Sequence, residues 1–113
     1  MGTGKSCAVV DNLRDLEEAL QQKDRVIALV YASWCPFCRR VLPVFEKQAL
    51  DSDRNLLLVA DDEEHIADLY GIDVFPTLIL FEKNQIVKRL DAKPGLGLNE
   101  KQITDFISSC PLF

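Results

Sequence analysis

Two cysteines, Cys35 and Cys38, lie two residues apart in the stretch YASWCPFCRR, directly after an apolar run. Thiols at that spacing have three chemistries open to them: exchange with a disulfide, half of a metal site, or inert packing. A structural zinc site takes four ligands, commonly from two such pairs. This chain offers one pair, a single histidine (His65) after an acidic run, and two distant thiols, Cys7 and Cys110. No metal is expected, and His65 reads as a solvated residue at a helix start. A strand followed by C-x-x-C at the opening of a helix is the arrangement of dithiol redox chemistry. That is the reading of the pair. Cys7 and Cys110 read as small hydrophobes in a strand and on a helix's apolar face.

The elements around the pair say why it would react. VIALVYA is nearly all apolar, the pattern of a strand covered on both faces. PFCRRVLPVFEKQAL then reads as a helix opened by Pro36 and interrupted by Pro43, which should kink it. Cys35 ends the strand-to-helix turn, where unpaired amides and the positive end of the helix dipole favour a thiolate. The thiolate is the attacking species, and Cys38, one turn further in, is placed to resolve a mixed disulfide formed at Cys35. Arg39 and Arg40 follow directly; the expectation for such long side chains is solvation rather than a role at the sulfur.

Along the rest of the chain, an extended start around CAVV precedes DNLRDLEEALQQ. This second segment puts Leu13, Leu16 and Leu20 on one helical face, with Asp11 or Asn12 as cap. NLLLVA reads as a second buried strand, and DDEEHIADLYG as a short helix with acids at its start and Gly71 at its end. PTLILFE and IVKRLD flank KNQ as an antiparallel hairpin. NEKQITDFISSC sets Ile103, Phe106, Ile107 and Cys110 on one face, with Asn99 and Gln102 spaced for a capping box. The expected architecture is therefore α/β: a central mixed β-sheet flanked by helices, in the order β-α-β-α-β-α-β-β-α.

At 113 residues and 48% hydrophobic content, the chain is the size of a single domain, residues 1–113. A net charge of −5 argues against nucleic acid as partner, since phosphate binding needs clustered Lys and Arg. The longest apolar runs are too short to cross a bilayer, so no membrane is expected. MGTGKSC lacks a signal-like apolar core, which makes the cytoplasm the expected location, and residues 1–6 are expected to be flexible. GTGKS resembles the end of a phosphate-binding loop but lacks the glycine five residues earlier. Gly2 with Ser6 fits a myristoylation pattern, which is set below the flexible start.

With these residues in view, the chain resembles the thioredoxin superfamily over nearly its whole length. VIALVYASWCPFC is similar to that family's active-site strand and motif. Pro43 falls where the family kinks its second helix, and YGIDVFPTLILFEKNQIV is similar to its helix end, loop and final hairpin. The resemblance implies a thioredoxin fold. It implies that Pro76 is a cis-proline facing the cysteines, and that Phe75 offers backbone hydrogen bonds to an extended substrate peptide. Trp34, Pro36 and Phe37 would form an apolar rim.

Three departures stand out. The dipeptide between the cysteines is Pro-Phe rather than thioredoxin's Gly-Pro, closer to the Pro-Tyr of glutaredoxins, which points to a potential above roughly −270 mV. The family's buried aspartate matches Leu29, and the lysine facing it falls at about Leu57. Losing both together avoids an unpaired buried carboxylate. It also removes the proton acceptor for Cys38, so resolution should rely on water or a substrate group and slow as pH falls. Third, DAKPGLGL is glycine-rich; Gly95 or Gly97 would serve close approach of a partner, and a plain loop is the alternative.

The resulting expectation is a thiol-disulfide oxidoreductase that reduces protein disulfides as a monomer, without cofactor, because the electrons travel in the dithiol. Its partners would be disulfide substrates and an upstream reductant, either thioredoxin-reductase-like or glutathione. A disulfide oxidase or isomerase of higher potential, and a binding module without turnover, are the alternatives.

Overall fold

In the computed structural model, which describes residues 8–51 and 55–110, helices alternate with strands and a hairpin follows. The elements are β1 (Ala8–Val10), α1 (Leu13–Gln22), β2 (Arg25–Tyr31), α2 (Pro36–Asp51), β3 (Leu56–Ala60), α3 (His65–Tyr70), β4 (Thr77–Glu82), β5 (Gln85–Asp91) and α4 (Glu100–Ser109). This is the order expected from the sequence. The strands form one mixed sheet, β1-β3-β2-β4-β5, in which β1, β3 and β2 run parallel, β4 pairs antiparallel with β2, and β5 antiparallel with β4. Because β2 is central, both its faces are covered, and Val26 to Val30 are buried.

The helices divide between the two faces by the two-residue period of the strands. Leu16 and Leu20 of α1 and Ile66 of α3 pack with Val26, Ala28 and Val30. Val41 and Phe45 of α2 and Ile103, Phe106 and Ile107 of α4 pack with Ile27 and Leu29. Asn12 caps α1 by accepting from the Asp15 amide at 2.8 Å. Asn99 and Gln102 make the reciprocal capping box of α4. The β4–β5 hairpin turns on Lys83 and Asn84, both at positive φ (50° and 66°), as a tight two-residue turn requires. Cys110 is buried against the α4 face, while Cys7 and Gly2 lie outside the described residues.

Three expectations need correction. α2 is not interrupted at Pro43 but runs through it to Asp51. α3 does not start among the acids; it begins at His65, because Glu64 takes a left-handed backbone (φ 64°) and Asp61–Glu64 form the turn ahead of it. The residue beside Leu29 is Leu58, not Leu57: the parallel register pairs Leu29 with Leu58, and Leu57 with Ala28 on the opposite face. Since Leu58 is apolar as well, the acid–lysine pair is still absent.

Candidate active site

Cys35 and Cys38 meet where β2 gives way to α2. The chain leaves the sheet at Ala32, whose carbonyl accepts from the Cys35 amide at 3.2 Å. The Cys35 carbonyl in turn accepts from the amides of Cys38 and Arg39, at 3.1 and 3.2 Å, opening the helix. Pro36 heads α2, where its missing amide hydrogen costs nothing. Both thiols are free; Cys35 is 6% exposed and Cys38 fully buried. Burial pushes the Cys38 thiol up from 9.0 to about 12, the contact with Cys35 adds to this, and a hydrogen bond with the Ala32 backbone opposes it. Among the described residues no carboxylate acts on Cys38; Leu29 stands buried within the α2/α4 layer.

The second wall is the turn before β4. Cys35 Sγ lies 3.9 Å from the Phe75 carbonyl oxygen, and the Phe75–Pro76 bond is cis. The Phe75 ring and Pro76 are buried, so it is the main chain of this turn that faces the sulfur. The Thr77 hydroxyl donates to the Val74 carbonyl at 2.9 Å and ties the turn to itself. Trp34 is 53% exposed and meets Phe75 edge-on, ring centroids 6.0 Å apart. Pro36 is exposed beside it. Phe37 is only half-buried, packed beside the cluster that holds both cysteines and against Gly97, with the Arg40 guanidinium 5.7 Å from its ring centre. The structure thus gathers all seven residues singled out from the sequence around one pair of sulfurs, with Trp34 and Pro36 as the open part of the rim.

Several residues at the site were missed in the sequence. The Asp62 carboxylate accepts from the Ser33 amide at 2.7 Å and the Ser33 hydroxyl at 2.5 Å, and the Asp62 carbonyl accepts from Trp34 Nε1 at 3.0 Å. The Ser33 hydroxyl, then its amide, hold the Asp62 carboxyl below its usual range. Asp61 is buried, and its carboxylate accepts from the amides of Ile66 and Ala67, capping α3 at 3.0 and 2.7 Å. A signal existed: two parallel strands end side by side, so the acids after β3 must adjoin the residues after β2. Arg39 and Arg40 are not simply solvated. Arg39 Nε donates to the Ser33 carbonyl, and Arg40 Nη2 to the carbonyls of Leu96 and Leu98. Of the two glycines proposed for close approach, Gly97 has Phe37 against it, and Gly95 has nothing near.

The family model Thioredoxin matches residues 8–109. The chain belongs to the thioredoxin family. It is 37% identical over 71% of its length to the thioredoxin of Mycoplasma genitalium, covering 80% of that protein. It is 27% identical over 78% of its length to bovine protein disulfide-isomerase A5, but spans only 18% of that longer protein. Among solved structures, a mutant thioredoxin from Halobacterium salinarum superposes with a TM-score of 0.74 at 30% identity, covering 94% of this chain and 95% of that one. A thioredoxin fold with this cysteine pair is the equipment of a thiol-disulfide oxidoreductase working by a dithiol–disulfide cycle. Among the described residues no helix is long and apolar enough to cross a membrane, and no three metal-ligating side chains converge.

Proposed function

We propose that the chain reduces protein disulfides, with Cys35 as nucleophile and Cys38 as resolving thiol. The Cys35 thiolate attacks one sulfur of the substrate disulfide; that bond breaks, and the departing substrate sulfur takes up a proton. Cys38 then gives up its proton and its sulfur attacks that of Cys35 in the mixed disulfide, releasing the second substrate sulfur. The substrate has gained two electrons, and Cys35–Cys38 is left as a disulfide. An upstream dithiol, from a thioredoxin-reductase-like protein or from glutathione, returns the pair to the reduced form. With no carboxylate among the described residues acting on Cys38, its proton goes to water or to the leaving thiolate. Phe75 presents its main chain to the extended substrate, and Trp34, Pro36 and Phe37 supply apolar contact.

The observation that carries the direction is where the neighbouring cations are spent. A strong oxidant owes its potential to a stabilised reduced form, with charge held at the sulfur. Here the two arginines beside the pair donate to loop carbonyls of Ser33, Leu96 and Leu98. A reductant of this kind belongs in a reducing compartment, the cytoplasm, and acts as a monomer.

The test is the equilibrium reduction potential of Cys35–Cys38 in glutathione buffers, followed by the fluorescence of Trp34. A potential near roughly −270 mV supports the reductant, whereas one near about −120 mV makes the chain an oxidant. A value near roughly −180 mV makes it an isomerase. If no redox transition occurs, the chain is a binding module.

A further inference from the structure

β5 is the exposed edge of the sheet, yet one of its charged side chains makes four hydrogen bonds. Arg89 Nη1 donates to the Tyr70 carbonyl at 2.7 Å, and Nη2 to the Gly71 carbonyl at 2.9 Å. These carbonyls end α3, where the helix dipole is negative and a cation is favoured. On its other side the same guanidinium donates from Nε and Nη2 to both Asp91 carboxylate oxygens, each at 2.6 Å. Asp91 is also the register partner of Thr77, and the next residue, Ala92, donates its amide to the Pro76 carbonyl at 3.1 Å. Gly71 and Pro76 are the two ends of the loop that carries Phe75. Both ends are therefore tied to one short stretch of chain, residues 89–92 at the end of β5, and a single Arg–Asp pair links the two ties. A lysine or an alanine at position 89 cannot make these contacts, since only guanidinium presents a planar fork to a carboxylate while donating elsewhere.

We propose that Arg89 is a positioning residue for disulfide exchange: braced by Asp91, it holds the Gly71–Pro76 loop so that the Phe75 main chain faces the substrate peptide. This rests on the reading above in which Phe75 presents the substrate. The loop carries the Phe75 carbonyl found 3.9 Å from Cys35 Sγ. Slack at Gly71 leaves the cysteine backbone in place, because it is held by β2 and α2. It moves only the wall against which a peptide must lie. The role is thus expected in substrate binding and not in thiol chemistry.

Arg89→Met keeps an apolar stem and removes the donors. It is compared with the wild type on two disulfides: insulin, which must lay a peptide along the loop, and dithiobis(nitrobenzoate), which has no peptide to lay. Expected is a rise of about tenfold in KM for insulin with kcat within about twofold, the loss of charged hydrogen bonds on one side of a binding step. Reduction of the small disulfide, and the Cys35–Cys38 potential, stay at wild-type values. Equal KM for insulin overturns the proposal, and so does a proportional loss on both disulfides. If Arg89→Met does not hold its fold at the assay temperature, Asp91→Asn decides. It leaves the donors to Tyr70 and Gly71 and loosens their brace, so about a threefold rise in KM on insulin alone is expected. A wild-type chain that reduces neither disulfide overturns this proposal together with the function it rests on.

Discussion

Gly97 offers a test in which the magnitude follows from the geometry. It adopts φ +69°, and a Cβ there would lie 2.7 Å from Phe37 Cβ and 3.0 Å from two atoms of its ring. Gly95, two residues earlier in the same loop, adopts φ +77° with nothing within 4 Å. Gly95→Ala therefore pays only for a left-handed backbone, about 1 kcal/mol. Gly97→Ala carries that cost and an overpacking cost of about 1–3 kcal/mol, because the atom it meets belongs to the first turn of α2 and cannot swing away. Expected is a loss of about 2–4 kcal/mol for Gly97→Ala against about 1 for Gly95→Ala, measured by urea unfolding of the reduced protein. The identity of the closest atom sharpens the test. Truncating Phe37 to Ala leaves the 2.7 Å contact in place, whereas Phe37→Gly removes it. In the Phe37→Gly background the Gly97→Ala penalty should fall to that of Gly95→Ala, and in the Phe37→Ala background it should stay above it. Equal penalties for the two glycines in the wild-type background would refute the reasoning.

Two further outcomes follow from buried groups. The Cys38 thiol titrates near 12 when folded and near 9.0 otherwise, so the unfolded chain loses this proton first as pH rises. Stability of the reduced protein is thus fully present below pH 9 and drains away between about 9 and 12, by at most about 1.4 kcal/mol per pH unit from this group. Urea midpoints of the reduced wild type and Cys38→Ala, compared across that window, should converge as pH rises; parallel curves would rule the shift out. Asp61→Ala leaves the buried amides of Ile66 and Ala67 without their acceptor, which costs about 2–4 kcal/mol, while Asp61→Asn retains one oxygen and loses about half as much. Unfolding of the two variants within about 0.5 kcal/mol of wild type would show that water replaces the carboxylate.

The element order and the cysteine pair were legible because both depend on signals carried within a few residues. Periodicity marks β2 as doubly covered, and the Asn99–Gln102 spacing announces α4 whatever lies around it. What escaped depends on which residues the fold brings side by side. Asp61, Asp62, Glu63 and Glu64 look in sequence like one solvated acidic run, yet the first is buried as a cap, the second holds Ser33, and the last adopts a left-handed backbone. Leu57 and Leu58 cannot be told apart by composition; only the register with β2 says which one faces Leu29.

Arg89 is the sharpest case, since a charge on an exposed edge strand is ordinarily solvated and edge strands recruit charge to avoid pairing with other chains. Its engagement arises because α3 ends within reach of the Arg89 side chain, so that two helix-end carbonyls and a carboxylate two residues along the same strand meet at one guanidinium. The same holds for Arg40, which spans from the second turn of α2 to the loop at Leu96 and Leu98. The cysteine pair thus sits on elements whose patterns can be read locally. The connections around it are held by long side chains that in sequence look like ordinary surface charge. Altering those arginines should therefore change which disulfides are reduced before it changes whether any are.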